Sequence, residues 1–130
     1  MEATKNPQAV IDKIHACGVK AGISIKPGTP LEAVYPYVDK VEMVLLMSVE
    51  PGFGGQTFIP ESYERIRELR KYIEERGLST AIEVDGGVGK KNIREVMEAG
   101  ANIFVAGSGV FRKSSITDNV NKFLEAFCEN

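Results

Sequence analysis

The chain has 130 residues, of which 43% are hydrophobic and 26% are charged, and its formal net charge is −2. This size and balance are ordinary for one globular domain with its own core. A slightly acidic chain gives no electrostatic reason to expect nucleic-acid binding, and no apolar stretch reaches the ~18 residues that a membrane-spanning helix needs. The N-terminus lacks signal-peptide architecture, and Cys17 and Cys128 fit no metal-binding spacing, so we predict a cytoplasmic protein with reduced thiols.

The first half of the chain predicts a helix, a strand, a short helix and a second strand. Asn6-Pro7 is typical of a helix start, because an Asn cap precedes proline at the first helical position, and Gly18 suits a left-handed stop. Residues 19–25 are predicted to form a buried strand. Thr29-Pro30-Leu31-Glu32 predicts a short helix with a capping box. Residues 43–47 form a continuous apolar run, which is typical of a strand covered on both faces.

The second half predicts three further helices and two further strands. The longest helix spans roughly residues 60–76, carries an apolar stripe and ends at Gly77. Strands are predicted over 81–84 and 103–106, with a helix over 92–99 between them. The last helix carries large apolar residues on one face, namely Ile116, Val120, Phe123, Leu124 and Phe127.

Buried strands that alternate with amphipathic helices indicate a parallel sheet. The loops after the strands carry the glycines, whereas the loops after the helices are short, and this asymmetry is typical of both a (β/α) barrel and a doubly wound sheet. Four βα units fill this chain, although a complete eight-stranded barrel takes ~250 residues. Because Met1-Glu2-Ala3-Thr4 also resembles the end of a strand, we expect half of a barrel.

Three glycine-rich segments follow predicted strands. In Val84-Asp85-Gly86-Gly87-Val88, Asp85 suits general acid/base catalysis or metal ligation, although an Asp before Gly-Gly also commonly forms a plain turn. Gly52-Phe53-Gly54-Gly55 is suited to present N–H donors to an anion, or to act only as a flexible turn. Gly107-Ser108 precedes a short helical turn, where a phosphate fits and where Ser108 equally suits a cap. Together the three segments predict one phosphorylated ligand held by several loops.

The sequence offers two other residues for ligand contact. His15 is the sole histidine and lies within the first predicted helix, so we interpret it as a surface or packing residue rather than a ligand. Met47 ends the second strand, where it either lines a pocket wall or fills the core. A single histidine in that place leaves no Ser/His/Asp catalytic set.

These motifs closely resemble those of the ribulose-phosphate 3-epimerase family. The resemblance is carried by residues 21–29, 47–58 and 82–88, with further agreement at 99–102 and 105–108. The V-x-P-G-F-G-G-Q and E-V-D-G-G-V motifs are specific in this order, and the first favours the epimerase over other phosphosugar barrels, such as hexulose-phosphate synthases and tryptophan-pathway isomerases. The resemblance implies that residues 1–130 form a single domain that corresponds to strands five to eight, the C-terminal half of a TIM (β/α)8 barrel.

The resemblance also implies an activity. It implies an isomerase of the pentose phosphate pathway, in carbohydrate metabolism, which interconverts D-ribulose 5-phosphate and D-xylulose 5-phosphate by metal-assisted acid/base epimerisation at C3. Two aspartates would lie on opposite faces of the sugar, bridged by a divalent ion (Fe²⁺, Zn²⁺ or Mn²⁺), and Asp85 matches one of them as both catalytic group and metal ligand. The matching substrate- and phosphate-binding positions are Met47, Gly52, Phe53, Gly54, Gly55, Gly86, Gly87, Gly107 and Ser108.

Three functional hypotheses stay open at this point. The chain is part of an epimerase completed by the other half of the barrel, or a half-barrel that binds a phosphosugar without turnover, or a fragment whose sheet edges are closed by self-association. The family's second aspartate, its two metal-binding histidines and its first-strand serine have no match in the sequence. Four parallel strands leave two open edges, and two half-barrels about a two-fold axis would close a ring. We therefore expect a homodimer or homo-oligomer with a small phosphosugar ligand, and neither nucleic acid nor membrane as a partner.

Overall fold

The computed structural model describes residues 1–111 and 115–128. Strands and helices alternate along these residues, as the sequence predicts, and two short 3-10 turns, over Leu31–Ala33 and Tyr35–Lys40, join the first two strands. The regular elements are α1 (Pro7–Ala16), β1 (Gly22–Ile25), β2 (Met43–Met47), α2 (Ser62–Glu75), β3 (Ala81–Asp85), α3 (Ile93–Glu98), β4 (Ile103–Val105), α4 (Gly107–Phe111) and α5 (Ile116–Cys128).

The four strands form one parallel sheet in the order β1-β2-β3-β4. Every crossover therefore moves to the next position in the same direction. A doubly wound sheet reverses direction at a switch point, whereas a (β/α) barrel does not. The sequence left open a (β/α) barrel or a doubly wound sheet, and this strand order fits the barrel. The described chain is a half-barrel of four parallel strands with flanking helices.

The helix layer forms the core on one face of the sheet. Ile66, Leu69 and Ile73 of α2 are completely buried and join Val44 and Ile82 of the sheet in one apolar cluster. The spacing of three and four residues places these α2 side chains on one helix face, as predicted. At the start of α1, the Asn6 side chain accepts the N–H of Ala9 at 3.1 Å, which confirms the predicted cap. No helix in the described ranges is long and apolar enough to cross a bilayer.

Three predicted elements differ from the structure. The strand predicted over 19–25 begins only at Gly22, because the N–H of Ala21 bonds the carboxylate of Glu42 instead of a strand. The capping box at Thr29 does not form, because the short helix begins as a 3-10 turn at Leu31 with Pro30 rather than Thr29 in the capping position. The Thr29 hydroxyl instead donates to the carboxylate of Glu2. Strand β2 is not covered on both faces, since its side chains alternate between buried and half-buried. The half-buried side is the concave face of the sheet.

Candidate active-site cleft

A cleft of about 430 Å³ opens at the C-terminal ends of β2, β3 and β4. Parallel strands bring their carboxyl ends to one edge, which is where α/β folds bind ligands. All ten residues singled out from the sequence line this cleft, and so do six others. The lining is Met47, Val49, Glu50, Pro51, Gly52, Phe53, Gly54, Gly55, Gln56, Asp85, Gly86, Gly87, Val88, Val105, Gly107 and Ser108.

Asp85 is the last residue of β3 and lies in the middle of the cleft. In the strand register it is flanked by Met47 on β2 and Val105 on β4. Ile82 and Val84, which alternate with it along the strand, are fully buried under the helices. Because side chains alternate along a strand, the Asp85 carboxylate belongs to the opposite, concave face, where it is half-buried.

Ser48 fixes the backbone that carries Asp85. Its side chain is completely buried, and its single hydroxyl proton is shared between the carbonyl of Gly86, at 2.7 Å, and that of Asp85, at 3.0 Å. Its backbone N–H also donates to the Asp85 carbonyl, at 2.8 Å. These three hydrogen bonds join the end of β2 to the end of β3, which sets where the carboxylate enters the cleft.

Gly86 and Gly87 form a cleft wall made of backbone. Their φ angles are +125° and +66°, in the region that side chains disfavour. A Cβ on Gly86 would lie 2.6 Å from a methyl carbon of Val49, and a Cβ on Gly87 would lie 2.3 Å from the backbone nitrogen of Phe58. The turn after β3 therefore packs directly on the segment that follows β2, and only glycine allows that approach.

The loop over residues 52–55 is held by a neighbouring side chain. The amide nitrogen of Gln56 donates to the carbonyl of Glu50 at 2.7 Å and to that of Phe53 at 3.0 Å. Gly55 adopts a left-handed φ of +81° within the loop. Phe53 is 75% exposed at the mouth of the cleft. The loop is therefore a defined turn rather than a loose one, with an aromatic ring at its tip.

The other two glycine segments are held in different ways. Asn92 accepts the N–H of Gly89 at 2.8 Å and donates to the carbonyl of Gly87 at 3.1 Å, which closes the turn behind the wall. Gly107 opens the short helix α4, and a Cβ there would meet nothing within 4 Å. The third segment therefore has free space in front of its backbone, unlike the crowded Gly87.

The charged groups of the cleft are all acidic. Glu50 and Asp85 line it, and no Lys, Arg or His is among its described lining residues. His15 lies elsewhere, as predicted: its Nε2 is 3.3 Å from the carboxylate of Glu42, which precedes β2 at the opposite end of the sheet. A phosphate in this cleft would therefore meet backbone N–H groups and the Ser108 hydroxyl rather than cations.

The described residues do not fit the expected metal site. Residues 1–111 and 115–128 contain no cluster of three His, Cys, Asp or Glu side chains able to hold an ion. Asp85 offers a single carboxylate, and one carboxylate is too few ligands for any divalent ion of the expected kinds. Metal binding at Asp85 stays a prediction that depends on ligands from outside these residues.

Sequence reasoning missed several cleft residues. Glu50 and Gln56 line the cleft, although Gln56 stood out in the sequence only as part of a motif. Val105 was also missed, although it lies near the end of the strand predicted over 103–106, just before Gly107. The structure pairs it in register with Asp85. The burial of the Ser48 hydroxyl between two carbonyls had no signal in the sequence, since it depends on the register of β2 against β3.

Comparison with known proteins identifies relatives of this chain. The model described as "Ribulose-phosphate 3 epimerase family" matches residues 1–111. The ribulose-phosphate 3-epimerase of Mycobacterium tuberculosis (strain ATCC 25618 / H37Rv) is 49% identical over 110 residues, which are 85% of this chain and 48% of that protein. The ribulose-phosphate 3-epimerase of Escherichia coli (strain K12) is 46% identical over 110 residues, 85% of this chain and 49% of that protein. The chain spans about half the length of these curated relatives.

Proposed function

The chain belongs to the ribulose-phosphate 3-epimerase family, and we propose that it supplies one half of an epimerase site for D-ribulose 5-phosphate and D-xylulose 5-phosphate. One observation carries the proposal: ten residues chosen from the sequence line a single cleft, with Asp85 between Met47 and Val105. The family match favours this reaction over those of the other phosphosugar barrels considered above. The reaction belongs to the isomerase class.

In the proposed reaction, Asp85 works on one face of the sugar. Its carboxylate takes the proton from C3, the bonding electrons move into the C2–C3 bond, and the C2 carbonyl oxygen becomes the oxyanion of an enediolate. A proton delivered to the opposite face of C3 returns the electrons and inverts the configuration. A single carboxylate faces one side of the carbon, so the second proton donor belongs to the other half of the site.

The proposed phosphate position lies among the glycine segments, away from Asp85. Backbone N–H groups of Gly54, Gly55 and Gly107, with the Ser108 hydroxyl, are the uncharged donors available there, and the space before Gly54 and Gly107 is free. Gly86 and Gly87 are proposed to form the wall against which the sugar lies.

We also propose a divalent ion at Asp85 and a cytoplasmic location. Fe²⁺, Zn²⁺ or Mn²⁺ would supply charge stabilisation for the enediolate when bound, and Asp85 would be the ligand from this chain. The described residues lack the remaining ligands. A cytoplasmic location is supported by the exposed and unpaired thiol of Cys17.

The test is reconstitution with the other half of the barrel. The chain is co-expressed with the segment of the M. tuberculosis relative that precedes the matched half, and epimerisation is followed by exchange of the C3 proton in D2O, with and without each metal. We expect turnover for the pair and a loss of at least ~10²-fold for Asp85→Asn, because the base is removed. Binding of inorganic phosphate should persist in Asp85→Asn and weaken in Ser108→Ala.

The outcomes separate the hypotheses. Turnover by Asp85→Asn at the wild-type rate would refute the acid/base role. A reconstituted pair that binds phosphate through Ser108 without any turnover would favour the second hypothesis, a half-barrel that binds a phosphosugar and does not transform it. Turnover by the 130-residue chain alone would contradict the proposal that half of the site is supplied from elsewhere.

A further inference from the structure

Two hydrogen bonds hold the glycine loop at the mouth of the cleft, and both come from one side chain. The Nε2 atom of Gln56 lies 2.7 Å from the carbonyl oxygen of Glu50 and 3.0 Å from that of Phe53. Among the residues that the structure describes, no other hydrogen bond reaches residues 50–55. Three of these six residues are glycines, which are ordered at a greater entropic cost than other residues. The shape of the loop therefore depends on Gln56.

Both protons of the Gln56 amide are used within this loop. A side-chain amide nitrogen carries two protons, and the carbonyls of Glu50 and Phe53 take one each. The amide nitrogen is therefore already engaged, although Gln56 lines the cleft. Its contribution is to fix the backbone around it rather than to contact a ligand.

The bond to Phe53 fixes the direction of the next backbone N–H. No peptide bond in the described chain is cis, so the carbonyl of Phe53 and the N–H of Gly54, which share one planar unit, point in opposite directions. With the carbonyl turned towards Gln56, the N–H of Gly54 points away from it. This N–H has no acceptor among the described residues, and a Cβ on Gly54 would meet nothing within 4 Å. A donor with open space before it is available to an anion.

We propose that Gln56 is a positioning residue for the phosphate group of the substrate, because it holds residues 52–55 in the form that presents the Gly54 N–H. This inference rests on the proposed function, which places the phosphate among these N–H groups. A loop that is ordered beforehand binds more tightly than one that must be ordered on binding. The cleft has no cation among its described lining residues. The orientation of uncharged donors therefore decides the affinity for phosphate.

The test compares binding of inorganic phosphate by the full 130-residue chain and by Gln56→Met. Methionine is uncharged and of similar length, and it has no proton to donate, so the variant loses both hydrogen bonds at constant charge. NMR titration followed at the Gly54 amide should give a dissociation constant about tenfold higher for Gln56→Met, since two bonds of average net strength no longer order the loop. Without phosphate, the order parameter of the Gly54 amide should fall in the variant.

Stability and a neighbouring substitution provide the controls. Glu50 and Phe53 are exposed, so water replaces Gln56 at their carbonyls and the free energy of unfolding should change little in Gln56→Met. Thr57→Val is the matched variant. Thr57 adjoins Gln56, is exposed and is not among the cleft-lining residues, and its substitution also removes a polar group at constant charge. Thr57→Val should bind phosphate as the wild type does.

The outcomes distinguish this inference from the proposed function. Equal phosphate affinity in the wild type and Gln56→Met would overturn the role of Gln56 and leave the phosphate position intact. A wild-type chain whose Gly54, Gly55 and Gly107 amides do not respond to phosphate would overturn the phosphate position, and this inference with it. A Gln56→Met chain whose lost affinity is matched by a large loss of folding stability would also overturn the inference, because Gln56 would then support the whole fold rather than the loop.

Discussion

Replacing Ser48 with alanine tests the link between the end of β2 and the end of β3, where Asp85 lies. The substitution removes a fully buried hydroxyl that donates to the carbonyls of Asp85 and Gly86. The Asp85 carbonyl keeps the backbone N–H of Ser48 as a donor at 2.8 Å. The Gly86 carbonyl loses its donor from Ser48. We therefore expect the free energy of unfolding to fall.

The size of the loss follows from the one hydroxyl proton that the two carbonyls share. A net hydrogen bond is worth ~1 kcal/mol, and a buried acceptor left unsatisfied costs ~1–3 kcal/mol. Since one of the two carbonyls keeps another donor, we expect Ser48→Ala to lower the free energy of unfolding by about 1–2 kcal/mol. For a chain of this length that corresponds to a melting temperature lower by roughly 3–8 °C. Urea unfolding followed by circular dichroism measures the change.

Ser62 provides a matched control within the same chain. It is also buried, at 3% exposed, and its hydroxyl has no hydrogen-bond partner in the described structure. It is the first residue of α2, where alanine is the better helix former. Ser62→Ala should therefore leave the free energy of unfolding unchanged or raise it slightly. Equal losses in the two variants, or no loss in Ser48→Ala, would refute the reasoning from hydrogen bonds.

Two further predictions concern the stability effect of the glycine wall and the loss of stability at low pH. Gly87→Ala should destabilise by about 2–4 kcal/mol, because the new Cβ collides with Phe58 in a strained conformation, whereas Gly107→Ala, with free space, should be near neutral in the same urea assay. Burial opposes ionisation of Glu2, but hydrogen bonds from the Lys26 N–H and the Thr29 hydroxyl prevail and lower its pKa from 4.5 to about 2. Its stabilisation is therefore full above pH 4.5 and is lost as the pH falls towards 2. Thermal unfolding across that range should depend less steeply on pH in Glu2→Gln, and equal slopes would contradict the assignment.

Much of the fold was predictable because local signals agreed with the tertiary structure. The Asn6-Pro7 cap, the stripe of α2 and the buried strand residues all act through nearest neighbours or a simple period. The errors arose where distant groups intervened. The Thr29 hydroxyl bonds Glu2 rather than its own helix, and Ala21 bonds Glu42 rather than a strand. Such competition between partners more than 20 residues apart leaves no trace in a local pattern.

The cleft was predictable to a different degree. Parallel strands must bring their exits to one edge, so three glycine-rich exits were bound to meet, and they do. What the glycines do individually was not predictable. Gly87 is needed because Phe58 approaches it, whereas Gly107 stands before open space. That distinction depends on how one loop packs on another, which only the three-dimensional arrangement reveals.

The backbone wall at Gly86 and Gly87 constrains how this site is able to evolve. A side chain at either position would collide with Val49 or Phe58, so it would disturb the packing of the loops. Substitutions at these two positions therefore offer little scope for changing ligand preference. New ligand preferences must arise instead from side chains that already line the cleft, such as Val105. A directed-evolution library for new ligands should therefore hold the two glycines constant and randomise their neighbours across the opening.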